Sequence, residues 1–297
     1  MNGTKVLMSK KTVRIALIQT TSDGEVASNV SKTEKLIQAA ADSGAKIICT
    51  QELCTTDYFC TDMNQDNFQL AETVPGPTTD SLTKLAKKND VVLVLSLFEK
   101  RAEGIYHNTA VVIDADGSIA GVYRKMHIPD DPGFCEKYYF TPGDLGFKTI
   151  QTKYGKLGVL ICWDQWFPEA ARITAMQGAD ILIYPTAIAT LPEESEEEKQ
   201  EFSQAWDMIQ RSHAIANGCF VASINRVGIE NGQKFWGGSF ICGPFGKYLA
   251  KAGEEEEIVM ADLDFTILDK HRTTWPFFRD RRIDAYQPIT KRFIDPE

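Results

Sequence analysis

The stretch Gly158-Val159-Leu160-Ile161-Cys162-Trp163-Asp164-Gln165-Trp166-Phe167-Pro168-Glu169 decides how this chain is read. Its first four residues have the small and apolar make-up of a buried strand. Pro168-Glu169 has that of a helix start. Cys162 therefore falls at a strand-to-helix elbow, a position from which a nucleophile can attack. Two other residues share this placement: Glu52 ends the run Ile47-Ile48-Cys49-Thr50-Gln51, and Lys125 follows directly on Ile119 to Arg124. A thiol, a carboxylate and an ammonium, each just past the carboxyl end of an expected strand, can converge on one site. The chain reads as an enzyme.

Outward from these positions the pattern alternates strand and helix. Strands are expected over 13–19, 46–50, 91–98, 156–161, 181–184, 220–225, 238–242 and 258–263, and helices over 30–42, 77–89, 168–177 and 202–217. Residues 109–114 and 118–123 form a hairpin across Asp116-Gly117. A long loop with Pro129, Pro132 and Pro142 spans 126–146, and an acidic run over 193–201 leads into the last helix. Hairpins mixed with strand–helix units argue against a purely parallel doubly wound sheet and for an α/β sandwich with helices outside. No repeat, linker or low-complexity tract divides the 297 residues. One domain over 1–297 is expected, with 1–11 as a flexible N-terminal extension.

Composition narrows the function. The chain carries 41 acidic and 32 basic residues, a net charge of −9. Such a surface disfavours nucleic acid and anionic membranes and mildly favours cationic small molecules. No run approaches the roughly 18 apolar residues of a membrane span, and no secretory signal precedes the first strand. Seven cysteines without paired spacing point to a reducing compartment, the cytoplasm. The four histidines are scattered and no C-x-x-C or H-x-x-x-H spacing occurs, so no metal is expected. Neither a Walker loop nor G-x-G-x-x-G is present, so no nucleotide cofactor is expected either.

Each candidate has a plain alternative. A lone strand-end thiol is ordinarily core packing, the assignment given to Cys49, Cys219 and Cys242. Glu52 suits a structural salt bridge as well as a site, since a buried carboxylate needs a partner. Lys125 suits a solvated loop. Together they do chemistry that none does alone: the carboxylate takes the thiol proton, and the ammonium holds the negative charge on a tetrahedral intermediate.

The motifs Thr50-Gln51-Glu52-Leu53, Tyr123-Arg124-Lys125-Met126-His127-Ile128-Pro129 and Leu160-Ile161-Cys162-Trp163-Asp164 resemble those of the nitrilase superfamily of carbon–nitrogen hydrolases. The resemblance runs from Ile15-Ala16-Leu17-Ile18-Gln19 to Arg279-Asp280-Arg281-Arg282. It implies a four-layer α-β-β-α sandwich with Glu52 as general base, Lys125 as oxyanion stabiliser and Cys162 as nucleophile. It also implies that the Trp163 backbone N–H donates to the oxyanion. Glu136 matches a second glutamate of the family, which would orient Lys125 and the substrate nitrogen. A surface-loop acid beside Lys137 is its alternative.

Within that superfamily the segments 126–134, 162–169 and Trp236-Gly237-Gly238-Ser239-Phe240 look like the branch that hydrolyses N-carbamoylputrescine. Cys135 departs from it, where an aromatic is expected. Carbamoylases of amino acids resemble one another in an arginine after the nucleophile, able to fork onto a carboxylate. Here Trp163, Asp164, Gln165 and Trp166 follow, and the first arginine is Arg172. A protonated amine fits an acidic, aromatic entrance better. Tyr58, Asp130 and the run Glu193, Glu194, Glu196, Glu197 and Glu198 are candidates for its distal end, although such runs are ordinarily solvated. Thr186 is a candidate pocket wall. The expected partner is thus a small cationic substrate. The alternatives are a related amidase or carbamoylase, acting on N-carbamoyl-β-alanine or another N-carbamoyl amino acid through Arg226, or a non-catalytic binding member. The family also implies a homo-oligomer, in which Trp275-Pro276-Phe277-Phe278 packs on a partner or within its own fold.

Overall fold

Alternate residues of the first strand face two different cores. In the computed structural model, which describes residues 12–296, Val13, Ile15 and Leu17 point into one apolar cluster, and Ala16 and Ile18 into another. The expected flexible extension over 1–11 lies outside the described residues. This two-sided pattern is what a sheet covered on both faces requires.

The first half of the chain contains β1 (Thr12–Gln19), α1 (Val26–Asp42), β2 (Ile47–Thr50), α2 (Pro77–Asn89), β3 (Val92–Ala102), β4 (Ile105–Ile113), β5 (Ile119–Arg124) and α3 (Glu136–Tyr139). Next come β6 (Thr149–Thr152), β7 (Gly155–Val159), α4 (Pro168–Met176), β8 (Ile181–Pro185), β9 (Ala189–Thr190) and α5 (Glu196–Asn217). Last are β10 (Phe220–Ile224), β11 (Val227–Glu230), β12 (Gln233–Trp236), β13 (Phe240–Cys242), β14 (Tyr248–Lys251), β15 (Glu257–Asp264) and α6 (Thr266–Thr274).

Two sheets of six strands result, in the orders β15-β1-β2-β3-β4-β5 and β14-β13-β10-β8-β7-β6. Each has a parallel centre, β1-β2-β3 and β7-β8-β10, with antiparallel strands at its flanks. Their inner faces share one core, in which Val13, Ile15, Ile47, Val92 and Val112 meet Leu157, Val159, Ile181 and Ile183. Ile37 and Ala40 of α1, with Leu82 and Ala86 of α2, cover the outer face of the first sheet. Ala170 and Ala171 of α4, with Trp206 and Ala214 of α5, cover the second. The architecture is the α-β-β-α sandwich.

Some elements differ from the sequence reading for identifiable reasons. Helix α5 starts at Glu196 rather than at 202, because Ser195 caps it: its hydroxyl accepts from the Glu198 N–H, and the Glu198 carboxylate accepts from the Ser195 N–H. The acidic run is therefore the first helical turn, where the helix dipole favours negative charge. β11 and β12 form a hairpin that the pattern reading passed over. Asn231 and Gly232 hold φ of 51° and 84°, both in the left-handed region that a tight two-residue turn needs. β6, β9, β14 and α6 are also additional, and α3 is a single helical turn inside the expected loop over 126–146.

β3 and β5 both pair antiparallel with β4, so β2, β3 and β5 share one direction. Their carboxyl ends place Glu52 and Lys125 on the same edge of the first sheet. The end of β7 brings Cys162 to that edge from the second.

Candidate active site

Both chain segments that carry the reacting groups turn through strained backbone. Cys162 has φ 43°, and Leu53, directly after Glu52, has φ 49°. Non-glycine residues rarely occupy this region, and such strain collects at functional sites. Cys162 opens a short 3-10 turn, Cys162–Trp166, so the sulfur stands at the elbow and the Trp163 N–H lies in a first turn without intrahelical acceptors. At Leu53 the N–H donates to Ser96 Oγ (3.1 Å). Arg226 Nη2 donates to the carbonyls of Glu52 (2.9 Å), Leu53 (3.0 Å) and Thr56 (3.2 Å), which holds the turn.

Lys125 is fully buried, and its Nζ donates to Glu52 Oε1 (2.8 Å) and Glu136 Oε2 (2.6 Å). Burial alone would lower its pKa, but the adjacent Glu136 and Glu52 outweigh it and hold the ammonium well above the ordinary lysine value. Tyr58 O–H donates to Glu136 Oε1 (2.8 Å), and Asn108 Nδ2 donates to Glu52 Oε1 (2.6 Å). The Ala187 N–H donates to Glu52 Oε2 (2.8 Å). A carboxylate offers about four acceptor sites, so Glu52 keeps one, on Oε2 beside Ala187. The Cys162 thiol faces the carbonyl of that same Ala187 at 3.9 Å. Burial, then the charge of Glu52, push the Cys162 thiol well above its ordinary pKa.

Burial and the charge of Glu52 raise Glu136 to about 7, against the pull of Lys125. Glu136 completes its ion pair with Lys125 only when it is ionised. Activity should therefore rise with pH through about 7. In Glu136→Gln that ionising carboxyl is gone, so the acid limb at about 7 should disappear. A kcat–pH profile checks it; an unmoved limb would detach it from this pair.

A cavity of about 250 Å³ opens onto Cys162 and Glu136. This is below the roughly 300–1,000 Å³ usual for drug-sized ligands, a size for a small metabolite. Apolar and aromatic walls come from Pro129, Pro132, Phe134, Ile188, Leu191 and Phe202, with Trp163 beside the nucleophile. Asp131 and Glu194 add carboxylates, and no lysine or arginine is among the lining residues. Two larger surface clefts, about 500 and 550 Å³, contain none of Glu52, Lys125 and Cys162.

The structure thus brings Glu52, Lys125, Glu136 and Cys162 together, with Tyr58 directly behind Glu136. Trp163 and Glu194 line the cavity, and the other glutamates of the acidic run are exposed on α5 or its approach. Three expected substrate contacts do not line it: Tyr58 is fully buried with its hydroxyl on Glu136, and Asp130 and Thr186 also lie off the wall. Both aspartates are exposed, and it is Asp131, in the turn where it and Phe134 exchange backbone hydrogen bonds (3.3 and 2.8 Å), that stands at the cavity rim. Thr186 spends its hydroxyl on Gln165 Oε1 (3.2 Å) and the Tyr184 carbonyl (3.2 Å), and it is the backbone at 186–187 that meets Glu52. Asn108 was missed, although the polar triplet His107-Asn108-Thr109 at the head of an apolar strand signals it. Among the described residues no group of three or more His, Cys, Asp or Glu side chains is placed to hold a metal ion.

A model of the carbon–nitrogen hydrolase family matches residues 14–272. The chain belongs to the carbon–nitrogen hydrolase family. Among its relatives, the N-carbamoylputrescine amidase of Solanum lycopersicum is 44% identical over 93% of this chain and 94% of its own. The citrullinase of Francisella tularensis is 43% identical over 95% and 99%. A crystal structure of a carbon–nitrogen hydrolase from Helicobacter pylori G27 superposes with a TM-score of 0.93 at 49% identity, covering 95% of this chain and 100% of that one. This chain is accordingly a hydrolase of carbon–nitrogen bonds, and in it Lys125 is hydrogen-bonded to both Glu52 and Glu136 in the same site as Cys162.

Proposed function

We propose that this chain hydrolyses N-carbamoylputrescine to putrescine, ammonia and carbon dioxide through a thioester on Cys162, in polyamine biosynthesis. The observation that carries the substrate is the cavity wall: Asp131 and Glu194 supply negative charge, apolar residues supply a sleeve for a methylene chain, and no cation lines it. A ureido group at Cys162 with a protonated amine at the acidic residues satisfies both ends.

Sγ attacks the ureido carbonyl while its proton passes to Glu52. The oxyanion is held by Lys125 Nζ and the Trp163 N–H. Collapse expels the terminal nitrogen as ammonia, which takes the proton from Glu52, and leaves an N-alkylcarbamoyl thioester. Water then attacks, giving its proton to Glu52, and the sulfur leaves with that proton as the thiol. The released carbamic acid decomposes to the amine and carbon dioxide. Glu136, braced by Tyr58, keeps Lys125 directed at the reacting carbonyl.

Citrulline is the second reading, because it carries the same ureido chain with one added carboxylate. That carboxylate would meet Asp131 and Glu194 without a counter-charge. The same objection applies to N-carbamoyl-β-alanine and other N-carbamoyl amino acids. Arg226, the remaining clamp for them, is fully buried and committed to Glu230 (2.6 Å) and to backbone carbonyls. The ion-paired Lys125 beside Cys162 opposes a purely binding role.

Loss of a charge-assisted hydrogen bond in Glu194→Gln should raise KM for N-carbamoylputrescine roughly ten- to a hundredfold. The glutamine keeps an oxygen for the Leu191 N–H, which Glu194 now binds at 2.8 Å. Steady-state rates with uncharged N-butylurea should change by less than about twofold. Equal losses on both substrates would place the amine elsewhere. The proposal also includes cytoplasmic location and a homo-oligomer. All seven cysteines are free thiols, no helix among the described residues is long and apolar enough to cross a membrane, and Ile283, Ile289, Phe293 and Ile294 leave apolar surface exposed for a partner.

A further inference from the structure

Lys125 and Cys162 come from different sheets, and one buried carboxylate ties their segments together. Asp164 is fully buried, two residues past the nucleophile. Its Oδ2 accepts from the Ile161 N–H (2.9 Å), directly before Cys162, and from the Tyr123 O–H (2.7 Å). Its Oδ1 accepts from the His127 N–H (3.1 Å) and lies 2.7 Å from His127 Nδ1. Tyr123 and His127 flank Lys125, two residues away on either side. The His127 ring also stacks on Phe167, with centroids 3.7 Å apart and planes 4° from parallel, which closes the same junction from the far end of the 3-10 turn.

We propose that Asp164 is a positioning residue that sets the distance between the Lys125 ammonium and the Cys162 thiol by joining the lysine loop to the nucleophile elbow. Lys125 Nζ bonds the two glutamates, and both of these lie outside the elbow segment. Without the carboxylate of Asp164, the oxyanion donor and the strained turn at Cys162 are free to shift against each other, and a shift of about 1 Å at a reacting centre costs on the order of a hundredfold in rate. Asparagine cannot substitute. Whichever side its amide nitrogen takes, that nitrogen faces a backbone N–H, from Ile161 or from His127.

The role rests on the proposed thiol chemistry but not on the identity of the substrate, so two readouts are needed. Turnover of N-carbamoylputrescine gives kcat and KM, and carbamidomethylation of Cys162 by iodoacetamide, followed by mass, reports the thiol in any case. Failure of the unmodified protein to turn over the carbamoyl amine would sink the substrate reading and leave the alkylation arm intact. Tyr123→Phe removes one donor and keeps the ring. It should lower kcat and the alkylation rate about tenfold, with KM within about twofold and the melting temperature within about 4 °C. Asp164→Asn should lower both rates by about a hundredfold, and the double variant should be no slower than Asp164→Asn alone, because both changes break one junction. Multiplying losses in the double variant, or unchanged rates in Tyr123→Phe, would overturn the proposal. Should Asp164→Asn fail to fold, Tyr123→Phe decides alone.

Discussion

Cys162→Ala is expected to abolish ammonia release from N-carbamoylputrescine, a loss on the order of 10⁵-fold or more, in a protein that folds as before. In the proposed mechanism the sulfur forms the covalent intermediate, and alanine offers nothing in its place. Its structural contribution is small: the thiol makes one long contact, to the Ala187 carbonyl at 3.9 Å. Alanine inherits the same positive φ, so the change in backbone strain is negligible and stability should move by less than about 1 kcal/mol. Ammonia assay and denaturant unfolding on the same preparation check both halves. Residual turnover that survives would give the chemistry to another group.

Lys125→Met is expected to lose activity and stability together. Removing one oxyanion donor costs about 10²–10³ in kcat, and misdirection of Glu52 adds to it. The methionine also leaves Glu52 and Glu136 buried without a counter-charge, and breaking a buried ion pair by removing one partner costs about 3–5 kcal/mol. The sign of its pH dependence follows. Buried and freed from the pull of Lys125, Glu136 is raised further above its value in the unfolded chain, so the folded variant binds more protons than the unfolded one. Its stability falls as pH rises toward that raised value. The gap from the unmodified protein should therefore be wider at about pH 8 than at about pH 6. A gap independent of pH would mean that the two carboxylates do not depend on the lysine.

Glu52 and Cys162 were legible because they follow strand ends whose side chains are core. Lys125 follows the half-buried β5, and the resemblance of its motif is what singled it out. The sandwich was legible from hairpins mixed with strand–helix units, and its four layers from the family resemblance. What escaped was carried by backbone. The Ala187 N–H on Glu52 leaves no mark in a side-chain pattern, and Ala187 rather than Thr186 forms the pocket wall there. Asp130 was chosen over Asp131 because loops have no periodicity from which to read direction. The Asn231-Gly232 turn carried a clear signal but flanks strands of four residues, too short for alternation to show. Asp164 sat in the motif around Cys162, yet its partners are some forty residues away, and only the packing of one sheet on the other brings Tyr123 and His127 to it.

The measurement that bears most directly on the proposed chemistry is ammonia release by the purified protein with N-carbamoylputrescine, citrulline, N-carbamoyl-β-alanine and N-butylurea in parallel. The cavity predicts the highest kcat/KM for N-carbamoylputrescine, a weaker reaction with N-butylurea, and poor turnover of the two substrates that carry a carboxylate. Preference for citrulline or N-carbamoyl-β-alanine would contradict it, because a carboxylate would then be welcomed by a wall that bears Asp131, Glu194 and no cation.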